Sequence, residues 1–351
     1  MAILVTGAAG YIGSIVTEEL LNQGHSVIAI DNLQEGNREA VLPEAVFYEG
    51  NVGDEKLLTE IFKNHRIDAV LHFAAETTIE FSMTNPKIYF ENNVVNGIRL
   101  LNVMLEHKCN RFIFSSTAAT FGEPQYTPID EKHPQLPINA YGESKLMFER
   151  ILDWYHKAYG LKFNTFRYFN AAGASEKLGE AHRHESHLIP LVLKRALAEQ
   201  KSKKAEQQRK KQIENREDKN KEQENISLKV FGNDYPTKDG TCVRDYIHVV
   251  DLAQAHILAL ENLNCHPDGK YNLGNGKGFT VLEVIETAKK VTGVDIPYEI
   301  AGRRPGDPAV LIASSELAQR ELGWESRFRD LESIIGSAWK WHSAHPKGYE
   351  R

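Results

Sequence analysis

Over the first 170 positions, short apolar runs alternate with stretches whose apolar residues recur every three or four places. Ala2 to Val5, Ser26 to Ile30, Val46 to Tyr48, Ala69 to Phe73, Arg111 to Ser115 and Asn164 to Tyr168 read as strands. Between the first two, Ile12, Ile15, Val16 and Leu20 share one helical face, and Gly24 is placed to end that helix. Strands alternating with helices predict an α/β fold with a parallel sheet and crossover helices. After about residue 170 the alternation loosens and Gly, Pro and Asp become frequent. The expected division is therefore a first domain over 1–175, rejoined by the chain around 235–262, and a smaller α/β domain over 176–351.

One stretch breaks the pattern. From Glu199 to Asn225 the residues are almost wholly Lys, Arg, Glu, Asp, Gln and Asn, with Ala205 and Ile213 the hydrophobic members. With no apolar face to bury, this insertion predicts a projecting solvated helix or disorder. Its Lys203-Lys204 and Arg209-Lys210-Lys211 clusters are nearly cancelled by acidic neighbours. The net charge of -6 likewise offers no broad attraction to nucleic acid or anionic membrane. No apolar run approaches the length of a bilayer span, and Ala2 to Val5 is too short for a signal-peptide core, so a cytoplasmic location is expected. Cys109, Cys242 and Cys265 are odd in number and scattered, which predicts neither disulfides nor a structural metal site.

Gly7-Ala8-Ala9-Gly10-Tyr11-Ile12-Gly13 directly follows the first strand and opens the first helix. A glycine-rich turn there lets backbone amides and the helix dipole meet a pyrophosphate. Asp31 ends the second strand, where a carboxylate would accept from an adenosine ribose and repel a 2'-phosphate. The expected cofactor is NAD. Further along, Tyr141-Gly142-Glu143-Ser144-Lys145 puts a phenol and an ammonium one helical turn apart on one face. A neighbouring cation would draw the phenol pKa down from about 10 towards neutrality, making a base for an alcohol proton.

With the glycine turn, His72-Phe73-Ala74-Ala75, Ser115-Ser116-Thr117 and Arg167-Tyr168-Phe169-Asn170, the chain resembles the extended short-chain dehydrogenase/reductases that act on nucleotide sugars. The second half narrows the resemblance to the UDP-glucose 4-epimerase family. The motifs are Phe231-Gly232-Asn233-Asp234-Tyr235-Pro236-Thr237, Asp239-Gly240-Thr241, Val243-Arg244-Asp245-Tyr246-Ile247-His248-Val249, Tyr271-Asn272-Leu273-Gly274 and Arg303-Arg304-Pro305-Gly306-Asp307. The likeness covers the chain except its charged insertion.

The resemblance implies a Rossmann-type doubly wound parallel sheet with a smaller C-terminal α/β substrate domain. It implies reversible interconversion of UDP-glucose and UDP-galactose on tightly bound NAD, through a 4-keto sugar that turns over in the pocket. Tyr141 would take the 4-hydroxyl proton, Thr117 would steady or relay it, and Lys145 would hold the nicotinamide ribose and depress the phenol pKa. The implied NAD contacts are Gly7, Gly10, Tyr11, Ile12, Gly13, Asp31, Asn32, Asn51, Val52, Phe73, Ala74, Ala75, Asn92, Ser115, Tyr141, Lys145 and Tyr168. Implied substrate contacts are Thr117, Tyr141, Phe169, Asn170, His187, Leu188, Phe231, Arg244, Arg304, Asp307 and Leu311. Among these, Arg244, Arg304 and Asn170 would grip the diphosphate, Phe231 the uracil and Asp307 the uridine ribose. Tyr168 reads equally as a core aromatic with a bonded hydroxyl. A homodimer is implied too, and the stretches 89–108 and 141–159 carry suitable apolar spacing.

The chain departs from the family pattern in three places. Asn51 replaces the usual Asp at the adenine contact, its amide oxygen still able to accept from the adenine amino group. Glu80 stands where a small residue is common, and Leu311 occupies the gate position in place of a bulky Tyr or a small Cys or Ser. Of the competing activities, a sugar 4,6-dehydratase would need an acid pair after Thr117, where this chain has Ala118-Ala119. A glucuronate epimerase would need a cation for the sugar carboxylate. A non-catalytic NAD sensor would have no use for Thr117, Tyr141 and Lys145 together.

Overall fold

The computed structural model describes residues 1–212, 228–304 and 306–349, with side chains left out over 206–212. Strands β1 (Ala2–Thr6), β2 (Ser26–Asp31), β3 (Val46–Glu49), β4 (Ala69–His72), β5 (Arg111–Thr117) and β6 (Lys162–Tyr168) lie where the apolar runs placed them, within two residues at either end. The second half adds β7 (Asn170–Ala172), β8 (Leu228–Phe231), β9 (Val243–His248), β10 (Asp268–Leu273), β11 (Gly278–Thr280), β12 (Tyr298–Ala301) and β13 (Val310–Leu311). Helices of the first half are α1 (Tyr11–Asn22), α2 (Glu55–Asn64), α3 (Ile79–Thr84), α4 (Pro86–Phe90), α5 (Asn96–Glu106) and α6 (Ala140–Tyr159). Those of the second are α7 (Leu188–Gln212), α8 (Val249–Asn262), α9 (Val281–Thr292), α10 (Glu316–Leu322) and α11 (Leu331–Ala344).

Seven strands form one parallel sheet in the order β10-β6-β5-β4-β1-β2-β3. Consecutive side chains on a strand point to opposite faces. Ile3 and Val5 of β1 thus pack with Ile15, Val16 and Leu20 of α1 and Leu252 and Leu260 of α8. The intervening Leu4 packs with Leu58 and Ile61 of α2, Leu101 and Met104 of α5, and Phe148 and Leu152 of α6. Because both faces are buried at the centre of the sheet, β1, β2 and β4 read as nearly unbroken apolar runs. Each such side chain contributes roughly 1.5–3 kcal/mol on burial, so truncating Leu4 to Ala should cost about 2–5 kcal/mol. The strand order reverses between β1 and β4, which opens a crevice at the carboxyl ends of these strands.

Beyond β6 a second core gathers Ile189, Val192 and Leu193 of α7, Val284 and Ile285 of α9, and Ile334 and Ile335 of α11. They cover a small mixed sheet in which β9 pairs β7 and β13 in parallel and β11 antiparallel, while β8 pairs β12. The chain returns to the large sheet through α8, which packs on α1, and β10, which extends the sheet beside β6. The charged insertion is helical up to Gln212, and its remainder lies outside the described residues. Among the described side chains the buried members of α7, Ile189, Pro190, Val192, Leu193, Ala196 and Leu197, all precede Glu199, and no side chain from Glu199 to Ala205 is buried. Among the described residues no helix is long and apolar enough to cross a membrane.

Candidate active site

The glycine turn after β1 leaves no room for side chains. Gly7 has φ +70, and a Cβ there would stand 2.6 Å from the Ala74 backbone nitrogen; one on Gly13 would stand 2.1 Å from the Gly7 carbonyl oxygen. Gly10 caps α1 without a side-chain bond, so the first-turn amides of Tyr11, Ile12 and Gly13 are left for a ligand. These residues line a cavity of about 1320 Å³. Asp31 accepts from the Ala9 amide at 2.9 Å and the Leu33 amide at 2.8 Å, tying the turn to the loop after β2. Burial pushes its carboxyl above the ordinary value, against the pull of the Leu33 and Ala9 amides. Each of its oxygens keeps a second lone pair for a ribose hydroxyl. Asn51 behaves differently from expectation. Its Oδ1 accepts from the Gly53 amide at 2.7 Å and from Asn96 Nδ2 at 3.2 Å. Both lone pairs are taken, so that oxygen is not the acceptor for an adenine amino group.

The helical run from Pro86 to Glu106 contains a π turn at Glu91–Val95, with the Asn96 amide reaching back to the Glu91 carbonyl. Asn92 Nδ2 donates to Glu76 Oε1 at 3.0 Å, while Asn93 accepts from the Glu76 amide at 2.8 Å and donates to Ser144 Oγ at 3.0 Å. Ser144 Oγ donates in turn to the Tyr141 carbonyl. The loop after β4 is thereby bolted to the first turn of α6. Sequence reading found Asn92 but missed Glu76, Asn93, Asn96 and Ser144, whose partners lie far away in the chain.

Tyr141 enters α6 one residue after its start, and Asn139 caps that turn by accepting from the Gly142 amide at 2.8 Å. Lys145, 2% exposed, donates from Nζ to the Ser115 carbonyl at 2.8 Å and lies 4.9 Å from the centre of the Phe114 ring. Burial pulls its ammonium down to about 7, with Glu149 opposing. Glu149 is fixed by Arg167 Nη2 at 2.6 Å and Ser116 Oγ at 2.5 Å. Burial pushes its carboxyl up, but the Arg167 guanidinium and the hydrogen bonds outweigh this and hold it below the ordinary range. The Tyr141 phenol is raised by burial, and a hydrogen bond from the Thr117 hydroxyl only partly offsets that. This corrects the expectation that Lys145 lowers the phenol: burial outweighs it, and burial also weakens the charge on Lys145 itself. Tyr168 belongs to the core and to the cavity wall at once. Its ring packs in the core and its hydroxyl bonds His256 Nε2 at 2.8 Å, yet it also borders the cavity.

Every residue expected at the cofactor or the substrate lines this one cavity, including His187, Leu188, Phe169 and the exposed Glu80. Across from Tyr141 the anchors hold one another. Arg244 on β9 donates to Asp307 Oδ1 at 3.1 Å and to the Pro308 carbonyl at 2.8 Å, and the Arg304 guanidinium lies 4.0 Å over the Phe231 ring. Leu311 on β13 is in register with Arg244. Asn170 donates to the Asp245 carbonyl at 2.9 Å. The fully buried Asp245 accepts from the Asn275, Gly276 and Ala313 amides, and its structural part in the anchor wall had no signal in spacing.

The profile of the NAD dependent epimerase/dehydratase family matches residues 3–274. A UDP-glucose 4-epimerase of Halalkalibacterium halodurans is 50% identical over 352 residues, spanning 99% of this chain and 98% of that protein. A crystal structure of a UDP-glucose 4-epimerase superposes with a TM-score of 0.90 at 45% identity, covering 100% of both chains. That of the Bifidobacterium longum UDP-glucose 4-epimerase in complex with NAD+ and UDP gives a TM-score of 0.87 at 37% identity, over 99% of this chain and 100% of the other.

Proposed function

Because the chain belongs to the NAD dependent epimerase/dehydratase family, we propose that its cavity interconverts UDP-glucose and UDP-galactose, with NAD as the cofactor. The observation that carries this reading is a convergence. Thr117, Tyr141 and Lys145 stand beside the glycine turn, while Arg244, Arg304, Asp307 and Phe231 stand on the same cavity. The side-chain-free cradle at Gly7 and Gly13, the first-turn amides of α1 and the Asp31 carboxylate fit a dinucleotide. NAD held there would supply a hydride acceptor and donor for the sugar C4 and a positively charged ring.

Tyr141 accepts the 4-hydroxyl proton at its phenolic oxygen and later returns it. Thr117 Oγ1 accepts from the Ala119 amide at 3.1 Å, which leaves its own proton to steady the phenolate. Lys145 keeps two of its three donors beyond the Ser115 carbonyl for a ribose. Arg244, Arg304 and Asp307 grip the nucleotide while the hexose stays free to present either face. Ala118 and Ala119 beside Thr117 carry no acid or base, which disfavours dehydration. The exposed Trp154 and Tyr159 on α6 and Val95 near α5 support a homodimer, to be tested by sedimentation; a one-chain mass would reject it. Three free cysteines, Cys265 of them exposed, suit the reducing cytoplasm. The decisive experiment incubates the protein with UDP-galactose and NAD and follows UDP-glucose; no turnover would overturn the reading.

A further inference from the structure

We propose that Glu180, His182, Glu185 and His187 form a binding site for one divalent transition cation, zinc fitting best, that fastens a loop against the cofactor crevice. The loop between β7 and α7 carries the same Glu-x-His unit twice, Glu180-Ala181-His182 and Glu185-Ser186-His187. It folds so that the two units face each other. Glu180 Oε1 lies 3.2 Å from His182 Nδ1 and 2.8 Å from His187 Nδ1. Glu185 closes the ring, with Oε2 3.5 Å from His182 Nδ1 and Oε1 3.1 Å from His187 Nδ1. All four ligand atoms fall within 4.8 Å of one another. A tetrahedral zinc with bonds of about 2.1 Å needs ligand separations of about 3.4 Å, so the ring is near the required size.

The charges also ask for a cation. The Glu180 and Glu185 side chains are 4% and 3% exposed, and two carboxylates buried together require two positive charges close by. The nearest guanidinium in sequence, Arg183, sends Nη2 to the Leu33 carbonyl at 2.8 Å instead. Two imidazolium protons or one divalent ion would each supply that charge. The hydrogen bonding favours the ion. Glu185 Oε2 and His182 Nδ1 are both closed off from solvent and neither makes a hydrogen bond. Their 3.5 Å separation exceeds the roughly 2.7–2.9 Å of a charge-assisted bond, whereas an ion between them satisfies both. Two imidazoles with two carboxylates suit zinc, while calcium and magnesium demand six or more oxygens or retained waters.

The site's place in the fold gives it a purpose. The Tyr11 ring of the glycine turn meets the His182 ring edge-on, with centroids 6.3 Å apart, and Asn37 Nδ2 donates to the Ala181 carbonyl at 3.0 Å. With Arg183 on Leu33, the loop thus touches both the glycine turn and the segment after β2. A cation fixing this loop would slow loss of the dinucleotide, an effect that rests on the functional reading above; cation binding itself does not.

The test uses the holoprotein, stripped with EDTA and dialysed against zinc chloride, with the bound metal counted by mass spectrometry. One zinc per chain is expected, together with a higher melting temperature that magnesium and calcium do not reproduce. His182→Asn, Glu185→Gln and His187→Gln should each weaken zinc binding at least tenfold. His187, being half exposed, is the variant least able to disturb folding. Wild-type protein that takes up no more zinc than the His182→Asn/Glu185→Gln double variant would overturn the site, as would a thermal shift that this variant shares. Dissociation of NAD no slower with zinc than without it would remove the fastening role.

Discussion

The groups proposed to react and those proposed to anchor share one cavity but are held in opposite ways. Thr117 stands on β5, which is buried on both faces, and Tyr141 and Lys145 stand on the first turns of α6, locked from behind by Glu149, Arg167 and Ser144. Arg244, Arg304, Asp307 and Phe231 stand on short strands and the segments between them, and they occupy one another through an ion pair and a ring contact. A proton transfer tolerates little misplacement, so its groups are bolted to the scaffold. A nucleotide grip needs groups that exchange one partner for another. In the proposed reading the anchors stay satisfied by one another until a diphosphate replaces their internal contacts.

The comparison can be tested from its strongest consequence down. Tyr141→Phe should lower turnover by about 10²–10⁴-fold while leaving the melting curve unchanged, as read from UDP-galactose conversion and thermal denaturation. A loss below tenfold would deny the phenol its role. Glu149→Gln leaves Arg167 charged and buried without its partner, and should cost about 3–5 kcal/mol in urea denaturation. An equal change at exposed Glu80 should cost far less. Asp307→Asn or Arg244→Lys should instead weaken UDP binding by about 10–100-fold in calorimetry, with kcat nearly kept. If kcat falls as far as affinity, the anchors also orient the reacting sugar and the division fails.

Acid should sharpen the same contrast. The folded Glu149 carboxyl titrates below its unfolded value of about 4.3, so the native state binds fewer protons in that window. Its stabilisation is complete above about pH 4.5 and is lost as the pH falls through the folded value. Stability measured from pH 6 down to 3 should drop more steeply in the wild type than in Glu149→Gln. The smallest effect belongs to the charged insertion. Replacing Glu199 to Asn225 by a short linker should change stability by no more than about 0.5 kcal/mol, because its described side chains, Glu199 to Ala205, are not buried.

The large sheet was legible because its strands are buried on both faces, and such burial writes unbroken apolar runs into the chain. Its edge strand β10, Asp268-Gly269-Lys270-Tyr271-Asn272-Leu273, carries no such run, and β7 to β9 and β11 to β13 are short and belong to smaller sheets, so no period marked them. At the site, the glycine turn and the Tyr141 and Lys145 pair show themselves through local spacing. The anchors were reachable through family motifs alone. What escaped reading were contacts between remote positions, such as Asn93 with Ser144 or Asp245 with Ala313. The direction of the Tyr141 shift escaped too, since helical spacing says nothing of how deeply the pair is buried. The twin Glu-x-His units are visible in the chain, but only the fold of their loop brings the four side chains together.

The π turn at Glu91–Val95 carries a consequence for how this chain can vary. Such a turn is an α-helix holding one residue too many, and each residue of helix subtends about 100°. Losing a single residue there would let the helix relax to ordinary pitch while swinging Asn92 and Asn93 away from Glu76 and Ser144. The most comfortable shortening of this helix is therefore the one that unfastens the wall behind Tyr141, and a loss that looks harmless by length should be among the least tolerated.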